Sequence, residues 1–277
     1  MRTILQAGYP RSGNTLLWKI LSQIQLELGE LRSFSSDSGL RQIKEFYEKE
    51  KLIHSEDAHV DKFSIVDGAL VYIYPNEEMR YVRVSPPLFL GASSLLFTHD
   101  VPTLFLRYPG FEAVDVRFYV CRDPRPVYVS LCHHSVRPAI LKLLPSMKIK
   151  TIDEIMQRDD LTIRWAERWR EHVRSFLTHR DDFHLVRYET FVSEKRETLR
   201  EIVGIVGPDV VEERREEIVD AVLRVTDFEV MQKASPGHVR KGGAGEWTSE
   251  ISAHARRIVE EIAGAEMRAL GYLDGLG

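Results

Sequence analysis

Directly after the apolar run TILQA (3–7) stands GYPRSGNT, Gly8 to Thr15, and an amphipathic stretch follows it. An apolar strand, a turn with glycines at both ends of a G-x-x-x-x-G frame, and a helix start form a unit that few folds accommodate. Such a turn presents unpaired backbone N–H groups to an anion. Gly8 and Gly13 tolerate the dihedrals and the close approach that a cradle demands. Ser12 and Thr15 add hydroxyl donors, and Arg11 adds a fixed charge. The frame departs from ATP-handling loops at one position. Those loops need a lysine in the seventh place and a carboxylate-held magnesium. Here the seventh place is Asn14, and Asp123, in VRFYVCRDP, stands behind an arginine. A kinase or ATPase is therefore disfavoured, though it stays open as an alternative.

The rest of the chain fits a parallel sheet covered on both faces. Buried-strand runs at TILQA, SLLFTH (94–99), VRFYVC (116–121) and FHLVRY (183–188) alternate with helical stretches. Helices are predicted at about 14–28, 160–178, 193–206, 209–225 and 250–269 from three-to-four spacing. Leu16, Leu17, Ile20, Leu21 and Ile24 form the buried side of the first. Ile163, Ala166, Trp169, Val173 and Phe176 form that of the second, with Trp165 and Trp169 read as core and Arg164, Arg168 and Arg170 as solvated. SFSSDSG (33–39), YVRVSPPLFLG (81–91) and part of 136–158 read as loops and candidate substrate walls. No linker divides the chain, so residues 1–277 read as one α/β domain, with about 30–93 and 136–158 as substrate-side insertions.

With a formal net charge of -4, nothing in the bulk balance suggests a nucleic-acid binder or a basic membrane-surface protein, so an anion site must concentrate cations locally. Two stretches besides the first turn do so. In VRFYVCRDPRPVYVS a strand ends in Arg122, Pro124 can open a helix, and Ser130 follows on it; Arg125 reads as solvated. In HVRKGGAGEW (238–247), Arg240 and Lys241 adjoin Gly242 and Gly243, the chemistry of a phosphate clamp. His133 and His134 lack a matching ligand set, so no metal is expected. The two cysteines, Cys121 and Cys132, fit a reducing compartment. No signal peptide and no apolar run of roughly 18 to 20 residues is seen. The expectation is a cytoplasmic protein without membrane or nucleic-acid partners.

Taken in order, these stretches resemble the cytosolic-type sulfotransferases, which take sulfate from 3′-phosphoadenosine 5′-phosphosulfate (PAPS). GYPRSGNT is similar to that family's 5′-phosphosulfate loop, Y-P-K-S-G-T-T-W. The run from Arg122 to Ser130 resembles its 3′-phosphate motif, and HVRKGGAGEW its R-K-G-x-x-G-D-W loop, with Glu246 for Asp. VTDFEVMQK (225–233) looks like its T-S-F-x-x-M segment, and LVRYETF (185–191) like its Y-E-D segment. The likeness covers roughly residues 3–22 and 94–273. It implies a P-loop nucleotide-kinase-like sulfotransferase fold and a nucleotide site of Arg11, Ser12, Gly13, Asn14, Thr15, Leu16, Arg122, Ser130, Tyr188, Thr226, Phe228, Met231, Arg240, Lys241 and Gly242. It implies PAPS as donor, 3′-phosphoadenosine 5′-phosphate (PAP) as product, and a small-molecule hydroxyl as acceptor.

In this family a histidine takes the acceptor's proton within a T-H-L-P segment, and the matching stretch here is FTHDVP, with His99. An unshifted imidazole near pKa 6.5 suits a general base, and Arg11 would stabilise charge on the leaving oxygen. Four departures stand out. Leu16 replaces the tryptophan that packs on adenine, leaving Phe228 as a plausible substitute. Arg11 and Asn14 replace Lys and Thr. Phe97 replaces a lysine two places before the base, so a second catalytic cation is in doubt. The family's dimer motif is not visible in TSEISAHARR, which leaves oligomeric state open. A magnesium-dependent kinase, or a sensor that binds PAP without chemistry, remains an alternative. Tyr72, Tyr74, Tyr81 and Phe89 are either acceptor-pocket or core residues, and the acceptor's identity is not legible.

Overall fold

Every residue of the strand Ile4–Ala7 (β1) is buried, as a strand covered on both faces must be. β1 pairs in parallel with Leu95–Thr98 (β5) on one side and Val116–Cys121 (β6) on the other. The computed structural model describes residues 2–37, 60–74, 81–143, 151–234 and 246–273. His184–Arg187 (β7) extends the sheet beyond β6, again in parallel. All four strands anticipated from apolar runs are thus present.

Three more come from the segment that resembled nothing. Asp61–Val66 (β2) lies parallel to β5, then turns back into Ala69–Ile73 (β3) and Tyr81–Arg83 (β4), giving the order β4-β3-β2-β5-β1-β6-β7. The β2–β3 turn is Asp67-Gly68, both with positive φ (49° and 71°), the geometry that a two-residue hairpin prefers. That Asp-Gly pair between apolar runs was the available signal for this hairpin. The segment is part of the sheet and not only an insertion. Tyr72 and Phe89 are core residues at 0% exposure, and Tyr81 is exposed.

The stretch 81–91 is also not a loop. It holds β4 and then the helix Pro86–Ala92, whose two leading prolines occupy a first turn, where no N–H is needed. Within 136–158, Pro138–Leu143 and Ile152–Met156 are helical as well.

Alternate residues of each strand feed two cores. On one face, Leu5, Ala7, Tyr119 and Cys121 join Trp169, Val173 and Phe176 of the helix Asp159–Thr178, with the helix Ala253–Ala269 beside it. On the other, Ile4, Phe118 and Val120 meet Asn14–Glu27 (α1), Lys195–Val206 and Glu212–Val225. Period-two alternation on strands and 3.6-residue periodicity on helices are enough to build this sandwich. Trp169 is core, as read from the sequence, and Trp165 packs against a third, smaller cluster. Ile163 is not: at 40% exposure it stands outside, and Leu161, Thr162 and His172 complete the buried face. Both cysteines are buried and unbridged.

Arg125 requires a correction too. It is not a solvated residue but a junction, paired with Asp123 (2.6 Å) and Glu260 (2.9 Å) and lying over the Trp247 ring. One of its nitrogens also donates to the Tyr272 carbonyl. Asp123 in turn accepts from the Arg125 backbone N–H and so caps the helix Pro124–Ser135 (α2). The motif's arginine therefore holds the end of Ala253–Ala269 against α2. No described helix is long and apolar enough to cross a membrane.

Candidate active site

The glycine turn, His99, Arg122 and Tyr188 lie just beyond the carboxyl ends of β1, β5, β6 and β7, where open parallel sheets place their ligands, while Thr226, Phe228 and Met231 follow the helix Glu212–Val225. β1 delivers the glycine turn, β5 delivers His99, β6 delivers Arg122, and β7 runs straight into Tyr188.

The turn is shaped by contact as much as by sequence. A Cβ on Gly8 would stand 2.6 Å from Val120 Cγ1 and 2.7 Å from the Val120 carbonyl oxygen. Backbone on a central strand cannot move aside, so Gly8→Ala is expected to cost about 1–3 kcal/mol by overpacking. Thermal unfolding of that variant measures it directly. Gly13 precedes α1 with φ 103°, and a Cβ there would meet the Tyr188 ring at 2.8 Å. Asn14, in the lysine slot, braces the turn. Its Nδ2 donates to the Tyr9 carbonyl (2.8 Å), and its own carbonyl accepts from Gln6 Nε2 (2.7 Å).

Arg11 adopts a positive φ of 69°, uncommon for a side-chain-bearing residue. From there its Nε donates to Ser130 Oγ on α2, at 3.0 Å. The two sequence motifs therefore meet in space through this pair. Arg122 is held differently. Its guanidinium lies 4.1 Å from the centroid of the Tyr188 ring, which itself packs on Gly13. Turn, tyrosine and arginine thus form one continuous wall. Two buried donors on it, Ser12 Oγ and Arg122 Nε, meet no hydrogen-bond partner among the described residues. Buried donors of this kind are normally satisfied, so this wall is chemically suited to an anion.

Thr15 and Leu16 lie in the first turn of α1, with Leu16 packed partly against the second core. Thr226 is buried, and its hydroxyl donates to the Val222 carbonyl (2.7 Å). Met231 is buried and Phe228 is exposed at 38%. Arg240, Lys241 and Gly242 fall outside the described residues.

His99 donates its Nδ1 proton to the Gly8 carbonyl (2.8 Å), and its ring meets Phe97 edge-on at 4.8 Å. Burial, reinforced by the Lys62 charge, holds its pKa well below the usual imidazole value despite that bond. The ring is therefore neutral, with the proton on Nδ1 and the lone pair on Nε2. Behind it, His172 donates Nε2–H to the His99 carbonyl (3.2 Å) and accepts at Nδ1 from the Tyr119 hydroxyl (2.7 Å). Burial pushes His172 down to about 4, which keeps this relay uncharged. His134, four residues after Ser130, is likewise pushed down to about 4, by burial and then by Arg11. The sequence offers no signal for His172 beyond composition, and for His134 only its adjacency to His133. His133, for which no metal was expected, pairs with Glu250 at 2.7 Å.

A sulfotransferase domain model matches residues 2–271. The chain belongs to the sulfotransferase family. In three dimensions this sulfotransferase is similar to mouse sulfotransferase SULT7A1 complexed with PAP, with a TM-score of 0.59 and 17% identity over 98% of this chain and 87% of that one. It is also similar to a retinol dehydratase in complex with androsterone and PAP, with a TM-score of 0.58 and 16% identity over 96% and 81% of the two chains. Identities this low carry the fold alone. No curated protein sequence matches this sulfotransferase.

Proposed function

We propose that this sulfotransferase moves a sulfuryl group from PAPS to the hydroxyl of a small-molecule acceptor, with His99 as general base. The observation that carries the reading is the His99–Gly8 hydrogen bond. It fixes the tautomer so that Nε2 is the basic nitrogen, and it does so on the first residue of the anion-binding turn. Base and turn are therefore held at one distance by the fold.

Each half of the nucleotide has suitable donors. The backbone N–H groups of Gly13 to Thr15, with Ser12 Oγ and Arg11, suit the 5′-phosphosulfate, whereas the Ser12 N–H donates to the Tyr9 carbonyl (3.2 Å). Arg122 and Ser130 suit the 3′-phosphate, with the Tyr188 ring holding the guanidinium in place. Arg240, Lys241 and Gly242 carry the family's clamp, and Thr226, Phe228 and Met231 its adenine-side segment. PAPS supplies the activated sulfuryl group. The chain's own residues bind it, keep His99 neutral, and receive the acceptor's proton at Nε2. Arg11 offsets the charge left on the 5′-phosphate. Retinol dehydratase is crystallised with androsterone and, separately, with retinol. These small hydroxyl compounds support an alcohol or phenol as the acceptor class.

Thermal shift tests the nucleotide part. PAP at about 100 times its Kd stabilises the fold by ~2.7 kcal/mol, whereas Mg-ATP gives no comparable shift. A response confined to Mg-ATP would support the kinase reading instead.

A further inference from the structure

Lys62 belongs to none of the motifs, yet the sheet brings it to His99. β2 lies parallel to β5 with Lys62 opposite Phe97, and residues paired in this way share a face. Lys62 Nζ stands 5.5 Å from the centroid of the Phe97 ring, the same ring that meets His99 at 4.8 Å. Its charge acts on His99, on His134 and on Asp100. Asp100, one residue after His99, also ties β2 in place. Its carboxylate accepts from Ile65 N (2.7 Å) and Ser64 Oγ (2.8 Å). The strand that carries Lys62 is thus pinned to the segment that carries the base.

Sheet order fixes the side from which Lys62 approaches. β5 stands between β2 and β1, so Lys62 lies across His99 from the glycine turn and from Arg122. Two cations, Arg11 and Lys62, therefore flank an imidazole that burial keeps neutral and that both charges help to keep so. Phe97 gives β5 no cation of its own two residues before His99. Here the position is apolar, and the strand alongside offers an ammonium in register with it. Cations converging on uncharged histidines describe a centre that receives negative charge.

We propose that Lys62 is the second cation of the reaction centre, contacting the sulfuryl and acceptor oxygens from the side opposite Arg11. This inference rests on the PAPS reading above. In the step it serves, the acceptor oxygen bonds to sulfur and its proton passes to His99 Nε2. The bond from sulfur to the 5′-phosphate oxygen breaks, and its electron pair stays on PAP. Lys62 remains protonated throughout and contributes charge alone.

The test compares wild type with Lys62→Met, which keeps the length and removes the charge, and with Lys62→Arg. Calorimetry gives PAP and PAPS affinities, and labelled PAPS with a panel of phenols and alcohols gives kcat. Lys62→Met should bind PAP as wild type does, with an unchanged Tm. Its kcat should fall at least about tenfold and its PAPS-to-PAP affinity ratio about fivefold, as for loss of one charge-assisted contact. Lys62→Arg should recover part of both losses. Wild-type kcat and affinity ratio in Lys62→Met would overturn the proposal, and so would a loss that arginine does not recover at all. If wild type turns over no acceptor in the panel, the affinity ratio decides. Wild type binding neither nucleotide would instead bring down the PAPS reading, and this proposal with it.

Discussion

Replacing His99 with asparagine lowers sulfuryl transfer by ~10²–10⁴-fold, the usual worth of a positioned general base, while PAP binds as it does to wild type. Asparagine is the informative choice because its side-chain amide can still donate to the Gly8 carbonyl that now receives Nδ1–H. The turn then keeps its brace, and only the basic nitrogen is lost. Alanine removes both, so a difference between the two variants measures what the brace contributes. The pH dependence follows from the direction of the His99 shift. The active form is the neutral ring, and activity is lost as pH falls through the pKa in the folded protein. Burial and Lys62 set that pKa well below the ordinary value. The acid limb of kcat/KM is therefore expected below about pH 6.5, the unperturbed imidazole value. A limb at that ordinary value would mean that His99 is more solvated than the structure has it. Wild-type turnover in the asparagine variant would remove His99 from the reaction.

Arg122→Ala carries the second large effect, and it falls on binding. A hydrogen bond to a charged group contributes about 1.5–3 kcal/mol, so PAP affinity should fall by roughly 10- to 150-fold. The discriminating control is adenosine 5′-phosphate, which lacks the 3′-phosphate and should bind both proteins equally. Arg122 is already oriented, since the Tyr188 ring lies 4.1 Å from its guanidinium carbon and its Nε is buried without a hydrogen-bond partner among the described residues. Little ordering remains to be done on binding. Equal losses for both nucleotides would mean that the arginine supports the wall and does not read the 3′-phosphate.

The elements that were legible in the sequence are those whose signal is local. β1, β5, β6 and β7 are near-continuous apolar runs, and the long helices repeat every three to four residues. The glycine turn announced itself by its frame, and Arg122 and Ser130 by their place after a strand. Trp169 was readable as core from its helical spacing. Ile163 was misplaced because its neighbour Leu161 takes the buried stripe, a rotation that spacing alone does not fix.

What escaped the sequence is what only tertiary pairing creates. Apart from the Asp67-Gly68 turn, β2 to β4 are short or mixed in pattern, and their burial comes from joining a sheet edge. Arg125 looked solvated because its partners, Glu260 and the Tyr272 carbonyl, lie more than 130 residues away. The Arg11–Ser130 contact joins two motifs that looked independent. Lys62 and Phe97 are neighbours only through the β2–β5 register. His172 reads as one more histidine on a helix, and only the fold sets it between Tyr119 and the His99 carbonyl.

A single nucleotide gripped at both of its acidic ends by the wall of turn, tyrosine and arginine is the claim on which the rest depends. A crystal structure with PAP bound tests it most directly. The 5′-phosphate should rest on the backbone N–H groups of Gly13 to Thr15, and the 3′-phosphate within hydrogen-bond reach of Arg122 and Ser130. A bound nucleotide that touches only one of these groups, or that leaves His99 on the far side of the sheet from its 5′-phosphate, would contradict it.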